Sequence, residues 1–95
     1  VARIDVQQIE ADARQLSFRV TVGEGDGETR HGVTVSRDDY ERLGGGGGSP
    51  EEFVRRCFRF LLERESKESI LSRFDVGVIG RYFPEFEREI ARPAG

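Results

Sequence analysis

The apolar residues of this chain change their spacing at one point, and that change sets the fold class. Leu16, Phe18, Val20 and Val22 alternate with Ser17, Arg19 and Thr21, the two-residue period of a strand with one buried face. Beyond five consecutive glycines, Gly44 to Gly48, Val54, Cys57, Phe58, Leu61 and Leu62 recur with helical spacing. A chain of 95 residues is short for two separate cores. The pattern therefore predicts a single α+β domain over residues 1–95, with 44–49 as a flexible glycine-rich connection inside it. The expected architecture is an antiparallel two- or three-stranded sheet packed against several short helices.

Local signals fill in the elements. Ile4 and Val6 fit a first strand, and Ile9 falls out of phase, which implies a bulge or a helical start. Residues 11–15 read as a turn or short helix. Gly23-Glu24-Gly25-Asp26-Gly27 reads as a hairpin turn with Asp26-Gly27 as its favoured pair, followed by a strand through Val33 and Val35. Ser36 and Asp39 have the spacing of a reciprocal helix cap. Ser49, Pro50 and Glu52 form a second capping signature ahead of the strongest helix. On that helix Glu51 and Arg55, and Glu52 and Arg56, have the four-residue spacing of ion pairs. Ser66 predicts a restarted helix through Ile70, Leu71 and Phe74. Asp75 caps the next short segment, Pro84 marks a boundary, and Phe86 and Ile90 define the face of a last helix.

Composition excludes several function classes. Charged residues make up 35% of the chain, yet the formal net charge is only -3, so no global field steers a polyanion. All basic residues except Lys67 are arginine, a side chain suited to bidentate contacts with carboxylates or phosphates. There is no apolar run long enough for a membrane span. Cys57 has no second cysteine to pair with inside the chain, which favours a reducing, cytoplasmic location. The start lacks both Met and the layout of a signal peptide, so the chain reads as processed or trimmed.

Phe60-Leu61-Leu62-Glu63-Arg64-Glu65, Ser69-Ile70-Leu71, Arg73-Phe74-Asp75 and Arg81-Tyr82-Phe83-Pro84-Glu85-Phe86-Glu87 together resemble a family of small bacterial proteins without an assigned activity. The resemblance runs from about His31 to the C-terminus. It implies a bacterial cytoplasmic protein and carries no catalytic or binding residue with it.

The residues that bear chemistry point away from an enzyme. The glycines around residue 25 lack the spacing of a dinucleotide loop, and neither glycine cluster is followed by the lysine of a phosphate loop. Glu24, Asp26 and Glu28 lack the helix-flanked pattern of a calcium loop. His31 is the lone histidine, and Cys57 sits on an apolar stripe, where it reads as a small hydrophobe. Glu85, Glu87 and Glu89 read as the polar face of an amphipathic helix. No catalytic, metal or cofactor-binding residue is assigned, and no cofactor or small-molecule ligand is expected. The chain reads as a small protein-interaction or regulatory module, acting on a protein partner or by self-association to a homo-oligomer. Phe53, Phe60, Tyr82, Phe83 and Phe86 are the candidate interface. The alternative is a nucleic-acid-binding regulator, using Arg19, Arg30, Arg55, Arg56 and Arg59 as a patch on the hairpin and central helix.

Overall fold

The computed structural model describes residues 2–44 and 48–91. Residues 45–47 of the expected glycine connection lie outside the described residues.

Three long strands form a meander: β1, Arg3–Ala11; β2, Gln15–Glu24; and β3, Gly27–Ser36. β1 pairs antiparallel with β2, and β2 antiparallel with β3. The alternation in β2 places Leu16, Phe18, Val20 and Val22 on one face, where they are buried together with Val33 and Val35 of β3. The dephasing of Ile9 corresponds to a register slip between Gln8 and Glu10, and Ile9 is exposed there. Asp12 makes the turn into β2. Its Oδ1 accepts from the backbone N–H groups of Arg14 at 2.7 Å and Gln15 at 2.9 Å. Those two bonds, that from Arg14 first, hold its carboxyl below the usual range.

The β2–β3 turn sits one residue earlier than Asp26-Gly27. Glu24 pairs with Gly27, so Gly25 and Asp26 are the two loop residues. Gly25 has φ +61° and Asp26 does not have a positive φ. Glycine at the first central position is the requirement of a II′ turn, whose twist suits a hairpin.

In both predicted caps the serine half forms, while the carboxylates expected to reciprocate, Asp39 and Glu52, accept from Arg42 and Arg55 instead. Ser36 Oγ accepts from the N–H of Asp39 at 3.0 Å, opening α1, Arg37–Leu43. Ser49 Oγ accepts from the N–H of Glu52 at 3.2 Å, opening α2, Pro50–Leu62. The α2 stripe buries Phe53, Val54, Cys57, Phe58, Phe60 and Leu61. Phe58 lies under the sheet, its ring centre 5.3 Å from that of His31. The ion pair at the start of α2 is Arg55 with Glu52, three residues apart rather than four.

The chain after α2 departs from expectation. The helix predicted from Ser66 through Phe74 is a single 3₁₀ turn, Lys67–Ser69, followed by a short strand, β4, Arg73–Asp75. β4 pairs parallel with Gly32–Thr34 of β3, so the sheet has four strands in the order β1-β2-β3-β4. Two tertiary bonds oppose a helix here. The Leu71 carbonyl accepts from His31 Nδ1 at 2.7 Å, and the Ser72 carbonyl accepts from the Gly32 N–H at 2.7 Å. Both carbonyls are thus committed to partners far along the chain.

Asp75 then caps as expected, its Oδ2 accepting from the N–H of Gly77 at 2.9 Å. A 3₁₀ turn, Val76–Val78, leads into α3, Ile79–Tyr82. Pro84 lies in the break before α4, Phe86–Ile90, whose Phe86 and Ile90 are buried. The structure is an α+β arrangement in which short helices cover one face of a mixed, mainly antiparallel sheet. The outward positions Arg19, Arg30, Gly32 and Arg73 are exposed on the other face.

Candidate functional site

The five candidate interface aromatics do not form one surface. Phe53, Phe60 and Phe86 are buried core residues. Neighbouring helices cover α2 on more than one side: Tyr40 of α1 stands edge-on to Phe53 at 5.8 Å between ring centres, and Phe86 of α4 stands edge-on to Phe60 at 5.1 Å. Phe83 is half-buried beside Phe60. Tyr82 is 69% exposed. The expected aromatic surface therefore reduces to Tyr82 and the outer part of Phe83.

These two residues border an apolar groove of about 310 Å³. Its walls include Leu61, Ile70, Leu71 and Phe74, and Leu71 is 50% exposed. Sequence reasoning missed Leu71 as a surface residue because a helix from Ser66 would have buried it. Glu65 also lines the groove, and among the described residues its carboxylate forms no ion pair.

The five candidate arginines separate in the same way. Arg55 Nε donates to the Ile4 carbonyl at 3.2 Å and its guanidinium pairs with Glu52. Arg56 donates to the Ile90 carbonyl, tying α2 to α4. Arg59 is exposed on α2. Arg19 and Arg30 belong to the opposite side of the molecule, on the outward face of the sheet. There the structure adds Arg73: Arg19 and Arg73 both lie opposite Gly32, one from β2 and one from β4. The signal for Arg73 was the alternation of Arg73 and Asp75 around Phe74, too short a run to read as a strand.

The C-terminal carboxylates are held by arginines from other elements. Arg42 of α1 donates to Glu87 at 2.7 and 3.2 Å and to Asp39 at 2.8 Å. The Glu87 and Asp39 bonds, in that order, push its pKa up. Arg64 donates to Glu85 at 3.0 Å, to Glu89 at 3.3 Å and to the Phe60 carbonyl at 3.1 Å. Its guanidinium lies 3.6 Å above the Phe60 ring centre, a cation–π contact. Desolvation opposes the charged form of Arg64, and the carboxylates around it, Glu85 foremost, outweigh that and raise its pKa. Glu85 is held below the ordinary 4.5, first by a backbone hydrogen bond and then by Arg64. These acids clamp helices together and do not face each other across a cleft.

Cys57 and His31 do not form a nucleophile and base. Burial pushes the Cys57 thiol well above its usual range, the opposite of activation. His31 is itself buried, and both its ring nitrogens are engaged: Nδ1 with the Leu71 carbonyl and Nε2 with Thr29 Oγ1 at 2.9 Å. The Leu71 carbonyl can only accept, so Nδ1 donates to it, and Nε2 shares its hydrogen bond with the threonine hydroxyl. Among the described residues no three His, Cys, Asp or Glu side chains gather as a metal-holding group. No described helix is long and apolar enough to cross a membrane.

Fold and surface together define a two-layer α+β protein with an apolar groove beside β4 and an arginine-bearing sheet face left open. No protein-family model, curated protein or solved structure matches the chain.

Proposed function

We propose that this chain is a small protein-interaction module of the bacterial cytoplasm, and that its groove receives a bulky apolar side chain flanked by a lysine or arginine from a partner protein. The observation that carries the reading is the juxtaposition, in one groove, of exposed Leu71 and Tyr82 with Glu65, whose carboxylate forms no ion pair among the described residues. An exposed leucine and tyrosine around a half-open apolar wall supply the desolvated centre of an interface, and tyrosine is among the residues enriched there. Glu65 supplies the charge preference, because a carboxylate on an apolar wall favours a cationic neighbour. The single buried cysteine supports a reducing location.

The test is selection of random linear peptides on the immobilised full chain, followed by affinity measurement on purified peptides. Selected peptides should share a large apolar residue next to Lys or Arg. Leu71→Gln and Tyr82→Ala should each weaken binding about tenfold, within the range of interface alanine scans, and Glu65→Gln should remove the preference for the basic residue. Selection of no peptide, or peptides that bind all three variants as well as the parent, sinks the reading.

A further inference from the structure

Three of the arginines on the outward face of the sheet, Arg19, Arg30 and Arg73, stand around a gap. Gln7, Arg19, Gly32 and Arg73 form one row across β1, β2, β3 and β4. With strands about 4.8 Å apart, the Arg19 and Arg73 backbones stand roughly 10 Å apart with Gly32 between them. A Cβ on Gly32 would lie 3.6 Å from Arg73 Cγ, an ordinary van der Waals contact that leaves room for a side chain. Arg30 rises two residues along β3, on the same face. The three arginines border an open depression of about 700 Å³ that also takes in Ser17 and Thr34. Among the described residues Arg19 and Arg73 form no ion pair, and the partner of Arg30 is the exposed Glu28 at 3.7 Å.

We infer that this face docks a short acidic stretch of a partner protein, two or three Asp or Glu carboxylates on an extended segment laid over Gly32. The guanidinium fork matches a carboxylate with two parallel hydrogen bonds, and three arginines border the depression in which Gly32 presents no side chain. The extent of the patch sets the length of the ligand. Asp5 stands opposite Thr21, Asp75 stands opposite Thr34, and Glu28 closes the hairpin side. Acids thus bound the positive area within a residue or two of each arginine. A nucleic acid would carry its phosphates past those acids. The outward positions of β2, β3 and β4 also hold no aromatic ring on which bases could stack. This site is separate from the groove and does not depend on it.

Fluorescence anisotropy of a labelled octaglutamate peptide, titrated with the full chain at low ionic strength, tests the inference. An octaglutamine peptide and an eight-nucleotide oligothymidylate are the comparison probes. Octaglutamate should bind, and binding should fall as salt rises. Arg19→Gln and Arg73→Gln should each weaken it roughly 2- to 5-fold, the size of exposed ion pairs. Gly32→Glu, which sets a carboxylate in the centre of a position with room for a side chain, should weaken it further. Arg59→Gln on the helix side and Tyr82→Ala at the groove should leave it unchanged, with thermal unfolding confirming that each variant is folded. The inference is overturned if octaglutamate does not bind, if octaglutamine binds equally, if oligothymidylate binds more tightly, or if Arg59→Gln weakens binding as much as the sheet variants do.

Discussion

Replacing Phe86 with alanine distinguishes an aromatic core residue from an aromatic interface residue. Phe86 is 1% exposed, and its ring stands at 70° to that of Phe60, 5.1 Å away between centres. The substitution removes the buried ring, the edge-to-face contact and part of the packing that holds α4 to α2. Phenylalanine-to-alanine changes in cores cost about 3–5 kcal/mol, of which an aromatic pair accounts for roughly 0.5–1.5. A chain of this size has about 5–14 kcal/mol of total stability. The variant should therefore lose about a fifth or more of its stability, and its melting temperature should fall by more than about 10 °C. Urea denaturation followed by circular dichroism measures this, with an unchanged slope showing that the same surface is exposed on unfolding. Tyr82→Ala is the internal comparison: at 69% exposure it should change stability by no more than about 0.5 kcal/mol. A loss below about 1 kcal/mol for Phe86→Ala, or an equal loss for Tyr82→Ala, would refute the packing argument.

Two further outcomes follow from charge and burial. Glu85 titrates below its ordinary 4.5 in the folded state, so its contribution to stability is present above pH 4.5 and is lost as pH falls through the lowered value. Arg64→Gln removes one cause of that lowering, so its melting-temperature deficit relative to the parent should be largest near pH 7 and shrink below pH 4.5; a deficit independent of pH would count against the clamp. Cys57 should react with a thiol reagent in the native state only as fast as the chain unfolds, and quickly in urea, because its thiol is buried and its pKa raised. Rapid native labelling would show that α2 does not pack as described.

What the sequence made legible is what nearby residues decide. The alternation from Leu16 to Val22 specifies β2 because the strand period is written into consecutive residues, and Ser36 and Ser49 specify helix starts because their partners lie three residues away. β4 was not legible. Its three residues carry almost no period, and the bonds that draw the segment to the sheet come from His31 and Gly32. The groove was hidden for the same reason, since Leu71 reaches the surface only because the chain leaves helical geometry there. Phe53 and Phe60 were ambiguous because the width of an apolar stripe does not say how many sides of a helix are covered. Tyr40 and Phe86 supply that cover from before and after α2 in the chain.

The small net charge of -3 conceals an uneven use of arginine. On the helical side Arg42 and Arg64 are matched by Glu87, Asp39, Glu85 and Glu89, and the pairs with Glu85, Glu87 and Glu89 act as clamps between elements. On the sheet side Arg19 and Arg73 have no acid of their own among the described residues, while at the groove Glu65 has no cation. Screening at physiological salt limits each exposed charge to roughly 8 Å, so a partner meets these local imbalances and not the sum. The two surfaces consequently select opposite chemistry: acid over Gly32, and a base beside Leu71. Leu71 and Arg73 are two residues apart and border the groove and the sheet face respectively. A single partner segment that engaged both surfaces would have to change the sign of its charge as it crossed from the groove to the sheet.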